Sequence, residues 1–322
     1  MTRVTARPTR GGMRAGRVLL VDPRPERMVA AVEEAVGERI RWATLEDRSL
    51  ADVRVWFCAA PPPGRMLVLP ALEWIHTGWA GVEGWMRRPE WSDDVVLTRT
   101  VGDFPERMSQ YVFGYLLAQE LGVARAIREM QTRAWKRWTP GSIAAWRLLV
   151  VGHGAIGARI AEVGRAFGMS VSGVRRGSVS AAEKKNGVHS VEDLDQLLPI
   201  ADVIVNVLPL TPATQSFWDR ARFARMREGA VFVNISRGGT VDEGALHEGI
   251  LCGRPGRAIL DVFREEPLPS DHPFRGLDEI WTTPHVSGVG TVDALAKEFA
   301  QNWVRWREGK PLRNVVDRKR GY

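Results

Sequence analysis

Leu148-Leu149-Val150-Val151-Gly152-His153-Gly154-Ala155-Ile156-Gly157 decides the fold. Four apolar residues run into a G-x-G-x-x-G pattern, and Ile160, Ala161, Val163, Ala166 and Phe167 then recur at helical spacing. A buried strand ending in glycines lets the backbone approach a phosphate closely. The helix that follows aims unpaired N–H groups at the anion. The glycine spacing alone is a weak signal, and the apolar strand before it and the helix after it make it a dinucleotide-binding loop. Gly152, His153, Gly154, Ala155, Ile156 and Gly157 are therefore candidate cofactor contacts. The chemistry of the loop gives no reason for His153, which is expected to face solvent.

Outward from this loop, apolar strands alternate with helical stretches. Before it, Val18–Val21, Val53–Ala59, Leu72–His76 and Val95–Thr98 read as strands and Arg27–Val36 as a helix, a small parallel α/β unit. Apolar residues at helical spacing from Met108 to about Trp135 predict one long helix or a broken pair. Further strands are expected at Leu148–Val151, Met169–Val174, Val203–Val207, Ala230–Asn234, Arg257–Asp261 and Glu279–Thr282. Helices are expected between them at Ala155–Phe167, Val191–Leu198, Arg220–Met226 and Gly244–Glu248, and a last one at Val292–Trp306. The expected class is α/β with two doubly wound parallel-sheet domains. A Rossmann cofactor domain, residues 101–288, is inserted in a smaller flavodoxin-like substrate domain, residues 17–100 and 289–322. Met1–Gly16 is basic and reads as a disordered tail. A start at Met13 and a targeting segment are the other readings of it.

Bulk properties narrow the partners. A chain of 322 residues suffices for about two domains. Its net charge of +7 comes from arginines spread along the chain, which reads as a solvated surface and excludes a nucleic-acid footprint. No apolar run approaches the ~18 residues of a membrane span, so no membrane partner is expected. Cys58 and Cys252 have apolar neighbours and are expected to be buried free thiols, hence a reducing, cytoplasmic setting. The six histidines are scattered and no metal is expected.

In an open α/β sheet the strand C-termini form the ligand crevice. Four successive strands here end in polar segments: Asn206 to Thr211, Asn234 to Gly239, Asp261 to Pro267 and Thr283 to Gly288. They deliver Arg237, Asp261, Glu266 and His285. Any one of these is ordinarily a loop or turn residue. Four at successive strand ends, on the domain that carries the glycine loop, read as a reactive site.

These segments resemble the D-isomer-specific 2-hydroxyacid dehydrogenase family. The motifs that carry the likeness are Leu208-Pro209-Leu210-Thr211-Pro212, Asn234-Ile235-Ser236-Arg237-Gly238-Gly239, Asp261-Val262-Phe263 with Glu266-Pro267-Leu268, and Thr283-Pro284-His285. It extends from Arg17 to the tail Gly309–Asp317. The resemblance implies hydride exchange between a nicotinamide and the carbonyl carbon of a small 2-oxo acid. It makes His285 the acid/base, Glu266 its carboxylate partner, favouring the protonated ring, and Arg237 the guanidinium that grips the substrate carboxylate and polarises the carbonyl. Asp261 falls on the nicotinamide side, with Val207, Leu208, Pro209, Ile235, Ser236 and Gly288 along the cofactor. The amides of Ala80, Gly81 and Val82 are expected to cradle the substrate carboxylate. Trp79 would line a short acyl pocket, or else be a core tryptophan. A homodimer through the long helix is also implied. Gln110 departs from the pattern, since many members carry Glu there.

The second strand after the loop ends in Arg175-Arg176-Gly177-Ser178, and Arg175 lies 175 − 157 = 18 residues beyond Gly157. An acidic residue at about this position selects NAD, whereas guanidinium groups suit a 2′-phosphate. Arg175, Arg176 and Ser178 therefore predict preference for NADPH, with NAD possible; two surface arginines are the bland alternative. The favoured activity is reduction of glyoxylate, hydroxypyruvate or a similar acid. A dehydrogenase of formate or phosphite, and a non-catalytic dinucleotide-binding interaction protein, are the other readings.

Overall fold

The computed structural model describes residues 15–58, 69–88 and 94–322. Most of the expected tail, with Ala59 and Pro61 to Pro63, lies outside the described residues. The chain divides into two compact units, Met1–Asp103 with Gly290–Tyr322 and Phe104–Val289. Each is built on one parallel sheet, of five and seven strands.

The first unit runs β1 (Arg17–Val21), α1 (Pro25–Val36), β2 (Trp42–Ala43), β3 (Val53–Cys58), β4 (Trp74–Thr77), α2 (Glu83–Met86) and β5 (Val96–Arg99). The strand order is β2-β1-β3-β4-β5. All four residues of β4 and five of six in β3 are buried, the signature of a parallel sheet covered on both faces. α1 begins on Pro25 and stops at Gly37, whose left-handed backbone returns its N–H to the Glu33 carbonyl at 2.8 Å.

The second unit runs α3 (Phe104–Glu120), α4 (Val123–Gln131), β6 (Arg147–Val151), α5 (Ala155–Ala166), β7 (Ser170–Arg175), α6 (Ala181–Lys185), β8 (Val188–Ser190), α7 (Leu194–Leu197), β9 (Val203–Asn206), α8 (Arg220–Arg225), β10 (Val231–Asn234), α9 (Glu243–Leu251), β11 (Arg257–Leu260) and β12 (Ile280–Thr282). Its order is β12-β11-β10-β9-β6-β7-β8. The winding reverses between β6 and β9, and a ligand crevice belongs at their carboxyl ends. The long helix is a broken pair, interrupted at Gly122 with φ +73°. The buried side of α3, including Met108, Val112 and Phe113, packs in this unit with α5.

The chain then returns to the first unit with α10 (Val292–Arg307), capped by the Thr291 hydroxyl. Phe299 of α10 stacks on Phe57 and Trp74, with centroids 4.5 and 5.2 Å away. Burying such a side chain contributes about 2–3 kcal/mol. Beside them His76 is wholly buried. Its Nδ1 lies 2.7 Å from the Thr98 hydroxyl and its Nε2 3.2 Å from that of Thr100, which itself donates to the Thr77 carbonyl. A neutral ring protonated on Nε2 satisfies this chain of partners, and burial pushes the pKa of His76 down to about 3.

Three expectations need correction. Cys252 is exposed: it caps the end of α9 beside Leu251, itself exposed. Only Cys58 is a buried free thiol. The helix expected over Val191–Leu198 is a 3-10 turn, the short α7 and a second 3-10 turn, Leu198–Ile200, that contains Pro199, a residue with no amide to extend the helix. β2, α2, α6 and β8 were not expected; each is five residues or fewer, too short for a periodic signal. Among the described residues no helix is long and apolar enough to cross a membrane, and no cluster of His, Cys, Asp and Glu could hold a metal ion.

Candidate active site

The glycine loop lies at the reversal of the sheet. Gly152 leaves β6 with φ +108°, and a Cβ there would come within 2.7 Å of the Val207 carbonyl oxygen, in the loop after β9. Gly157, in the first turn of α5, packs its Cα against the Gly152 carbonyl. These two glycines are required by the protein's own packing and bring Val207 and Leu208 beside the loop. Gly154 is different. Its φ of −88° suits any residue, and a Cβ would meet nothing within 4 Å. Nothing in the fold demands a glycine there; a ligand approaching the start of α5 does. That helix carries no side-chain cap and no acidic residue in its first turn, which suits an anion at its N-terminus. The residues present thus fit a dinucleotide pyrophosphate, and Ala155 and Ile156 lie in the same turn.

Beyond β9 and β10 a buried polar cluster fixes the next two loops. Asn206 Nδ2 lies 2.9 Å from Asn234 Oδ1, 2.9 Å from Ser236 Oγ and 2.8 Å from Thr240 Oγ1. Its Oδ1 accepts from the Leu208 amide at 3.3 Å. Ile235 and Ser236 are buried, so their side chains shape the loop from beneath. Arg237 follows, half-buried, with its guanidinium donating to the Ser236 carbonyl at 2.7 Å. Gly238 seats this turn: a Cβ would fall inside the backbone of Phe263 and Arg264. The turn bearing Arg237 is therefore held against the loop bearing Glu266.

Asp261, 0 % exposed, organises the last two loops. Its Oδ1 accepts from the Thr283 hydroxyl at 2.6 Å and the Val286 amide at 2.8 Å, and its Oδ2 from the Ser287 amide at 2.8 Å. The His285 amide donates to the Asp261 carbonyl at 2.9 Å. Tyr111 of α3 completes the chain, its hydroxyl 2.6 Å from that of Thr283, and burial pushes its phenol pKa up. His285 is thereby held at φ +54°, a left-handed conformation uncommon outside glycine. Its Nδ1 meets Glu266 Oε2 at 2.8 Å, and Glu266 Oε1 accepts from the Phe263 amide at 2.9 Å. A carboxylate only accepts, so Nδ1 carries the hydrogen and Nε2 is the nitrogen left to hold or give a proton. The imidazole and its partner are each about one-third exposed. Gly288, just beyond, lies within contact of Met108.

β7 ends in the two arginines. Arg175 forms an ion pair with Glu183, whose carboxylate also caps α6 by accepting from the Ser180 amide at 2.9 Å. That backbone hydrogen bond, the Ser180 hydroxyl and Arg175 lower the Glu183 pKa. Arg176 and Ser178 are exposed. His153 departs from expectation: its ring lies over Gly173 of β7, not out in solvent. In the first unit Trp79 is 46 % exposed and so is no core residue, whereas Val82 is buried at the head of α2. Arg99 donates to the Ala80 carbonyl at 3.0 Å and anchors this loop.

The structure thus joins Glu266 to His285 directly, seats the Arg237 turn on the Glu266 loop, and sets Asp261 beneath the His285 turn. Sequence reasoning missed Asn206, Asn234, Thr240, Tyr111, Thr283 and Arg99, which hold these groups in place. Polar residues at strand ends were the only signal for Asn206, Asn234 and Thr283.

Comparison with known proteins identifies the family. Residues 113–287 match the family model described as D-isomer specific 2-hydroxyacid dehydrogenase, NAD binding domain. The chain is 31% identical over 236 residues to a glyoxylate reductase of Aeropyrum pernix, covering 70% of each. A D-isomer specific 2-hydroxyacid dehydrogenase from Xanthobacter autotrophicus Py2, in complex with NADPH and MES, has a TM-score of 0.85 and 28% identity, over 96% of this chain and 100% of that one. An NADPH-dependent glyoxylate/hydroxypyruvate reductase from Sinorhizobium meliloti, in complex with NADP and sulfate, has a TM-score of 0.81 and 27% identity, over 95% and 100%. The chain belongs to the D-isomer-specific 2-hydroxyacid dehydrogenase family and is an NAD(P)-dependent oxidoreductase, with its NAD-binding domain in the second unit.

Proposed function

We propose that this protein reduces a short 2-oxo acid of the glyoxylate or hydroxypyruvate class to the 2-hydroxy acid, with NADPH preferred over NADH. The hydrogen bond between His285 and Glu266, beside the seated Arg237 turn, carries the reading. A bound dihydronicotinamide supplies the hydride. As the carbonyl carbon gains it, the carbonyl oxygen needs a proton, and His285 gives one from Nε2 while Glu266 holds Nδ1 and steadies the ring. Arg237 grips the substrate carboxylate and polarises the carbonyl. Asp261 fixes the His285 turn and flanks the nicotinamide side.

The glycine loop receives the pyrophosphate at Gly154, Ala155 and Ile156, with Val207, Leu208, Pro209 and Gly288 along the cofactor. Arg175, Arg176 and Ser178 receive the 2′-phosphate. The NADPH and NADP bound in the two structural relatives support this preference. A homodimer is proposed through α4, where Val123, Ile127 and Met130 share an exposed apolar face. A cytoplasmic setting is proposed from the buried free thiol of Cys58.

The test is oxidation of NADPH and NADH across a panel of short 2-oxo acids, with formate and phosphite offered to NADP⁺ as alternatives. The highest kcat/KM is expected for a two- or three-carbon oxo acid with NADPH. Equal efficiency with NADH refutes the cofactor preference, and faster turnover of formate or phosphite refutes the substrate class.

A further inference from the structure

His153 is the residue in the glycine loop that the pyrophosphate does not explain. The amides of Gly152 and His153 both donate to the Val174 carbonyl, at 2.9 and 3.0 Å. The backbone is thus pinned to β7, and the imidazole occupies the space over the one residue of that strand without a side chain. A Cβ on Gly173 would land on the ring's Cδ2 and stand 2.8 Å from Nε2. Gly173 is therefore a slot made for this ring, twenty residues along the chain. Its Nε2 is buried and has no hydrogen-bond partner among the described residues. Leaving a buried polar atom unpaired is costly, and a bound ligand can recover that cost.

Charge around the ring indicates which ligand. The charge of Arg165 of α5, held by a 2.9 Å bond to the Asn186 carbonyl, reaches it. The charges of Arg175 at the end of β7 and Glu183 on α6 reach it as well. His189 of β8 pairs with Val174, one residue along from Gly173, and so lies on the other face of the sheet. Burial first, and then Arg165 and Arg175, keep the His153 pKa below its ordinary value, so the ring is neutral in the free protein at neutral pH. A dianion arriving beside Arg175 reverses that balance.

We propose that His153 is a titrating element of the 2′-phosphate subsite: it takes up a proton from solvent when NADP(H) binds, and Nε2 then donates to the phosphate. The proposal rests on the NADPH preference above and adds to it a second recognition group and a proton linkage. NAD(H), with a hydroxyl in place of the dianion, draws no proton onto the ring.

Calorimetric titration of the whole protein with NADP⁺ and NAD⁺, in two buffers of different ionisation enthalpy, tests it on the parent and on H153N. The parent is expected to take up more protons per NADP⁺ than H153N. Its NADP⁺ affinity is expected to fall about fivefold more than that of H153N between about pH 6 and pH 8. NAD⁺ is expected to show neither difference. Imidazole resonances of the parent give a second readout that needs no variant: one histidine midpoint rises with NADP⁺ and not with NAD⁺. Equal proton uptake by parent and variant, or no midpoint that distinguishes the two cofactors, overturns the role of His153 while leaving an NADPH preference intact. Equally tight NAD⁺ and NADP⁺ binding by the parent overturns the preference itself, and this proposal with it.

Discussion

His285 and Glu266 are nineteen residues apart in the chain and share one hydrogen bond of 2.8 Å, while the second oxygen of Glu266 is held by the Phe263 amide. The carboxylate is anchored at both ends, so the imidazole it holds is fixed in tautomer and direction. Glu266→Gln removes the charge yet can keep the Phe263 bond. The variant should fold as the parent does and bind NADPH equally, with kcat lowered by about 10–100-fold. Steady-state kinetics beside a thermal melt check this, and an unchanged kcat contradicts the pairing's role.

Two glycines should answer oppositely to alanine. At Gly154 a Cβ meets no protein atom, so Gly154→Ala should leave Tm within about 1 °C and weaken NADPH binding about tenfold or more. At Gly238 a Cβ falls on the Phe263–Arg264 backbone, so Gly238→Ala should lower stability by about 1–3 kcal/mol as well as activity. Melting curves and a fluorescence titration with NADPH separate the two. Normal cofactor affinity in Gly154→Ala contradicts the pyrophosphate assignment.

Arg175 is shared between a prospective phosphate and Glu183, which already holds it. Arg175→Asp should raise the KM for NADPH far more than that for NADH. Glu183→Gln can still cap α6 and frees the guanidinium, so it should tighten NADPH binding by about two- to fivefold at low salt. Kinetics with both cofactors check this, and equal loss with both in Arg175→Asp contradicts it.

His76 gives the first unit an acid-labile core. The unfolded chain protonates this ring below about pH 6.5, whereas the folded protein resists until about pH 3. The unfolded state therefore binds the extra proton across that window, and stability falls as pH drops through it, by about 1.4 kcal/mol per pH unit from this ring. His76→Gln should be less stable at pH 7, because it fits the two threonines less well, and should show a flatter acid limb by about that slope. Urea unfolding between about pH 7 and pH 4.5 measures it; parallel limbs contradict it.

What the sequence makes legible here is local. Strand, glycine loop and helix follow one another within twenty residues, and the strand-end segments of Arg237, Glu266 and His285 advertise themselves by polarity after apolar runs. The supporting contacts are not local. The Asn206 cluster joins two loops, and Tyr111 reaches Thr283 across 172 residues. His153 looks solvent-facing because its slot is the absence of a side chain at Gly173, far along the chain. Cys252 looks buried because Ile250 and Leu251 precede it, yet at the end of α9 only Ile250 is covered, and composition does not tell which face that is.

The most direct measurement is single-turnover reduction of glyoxylate and hydroxypyruvate by NADPH in the parent and in His285→Ala, with NADPH affinity measured alongside. Loss of the proton on Nε2 should slow hydride consumption by about 10²–10⁴-fold while the cofactor binds as tightly as before. A variant that consumes NADPH at the parental rate would show that the proton comes from elsewhere.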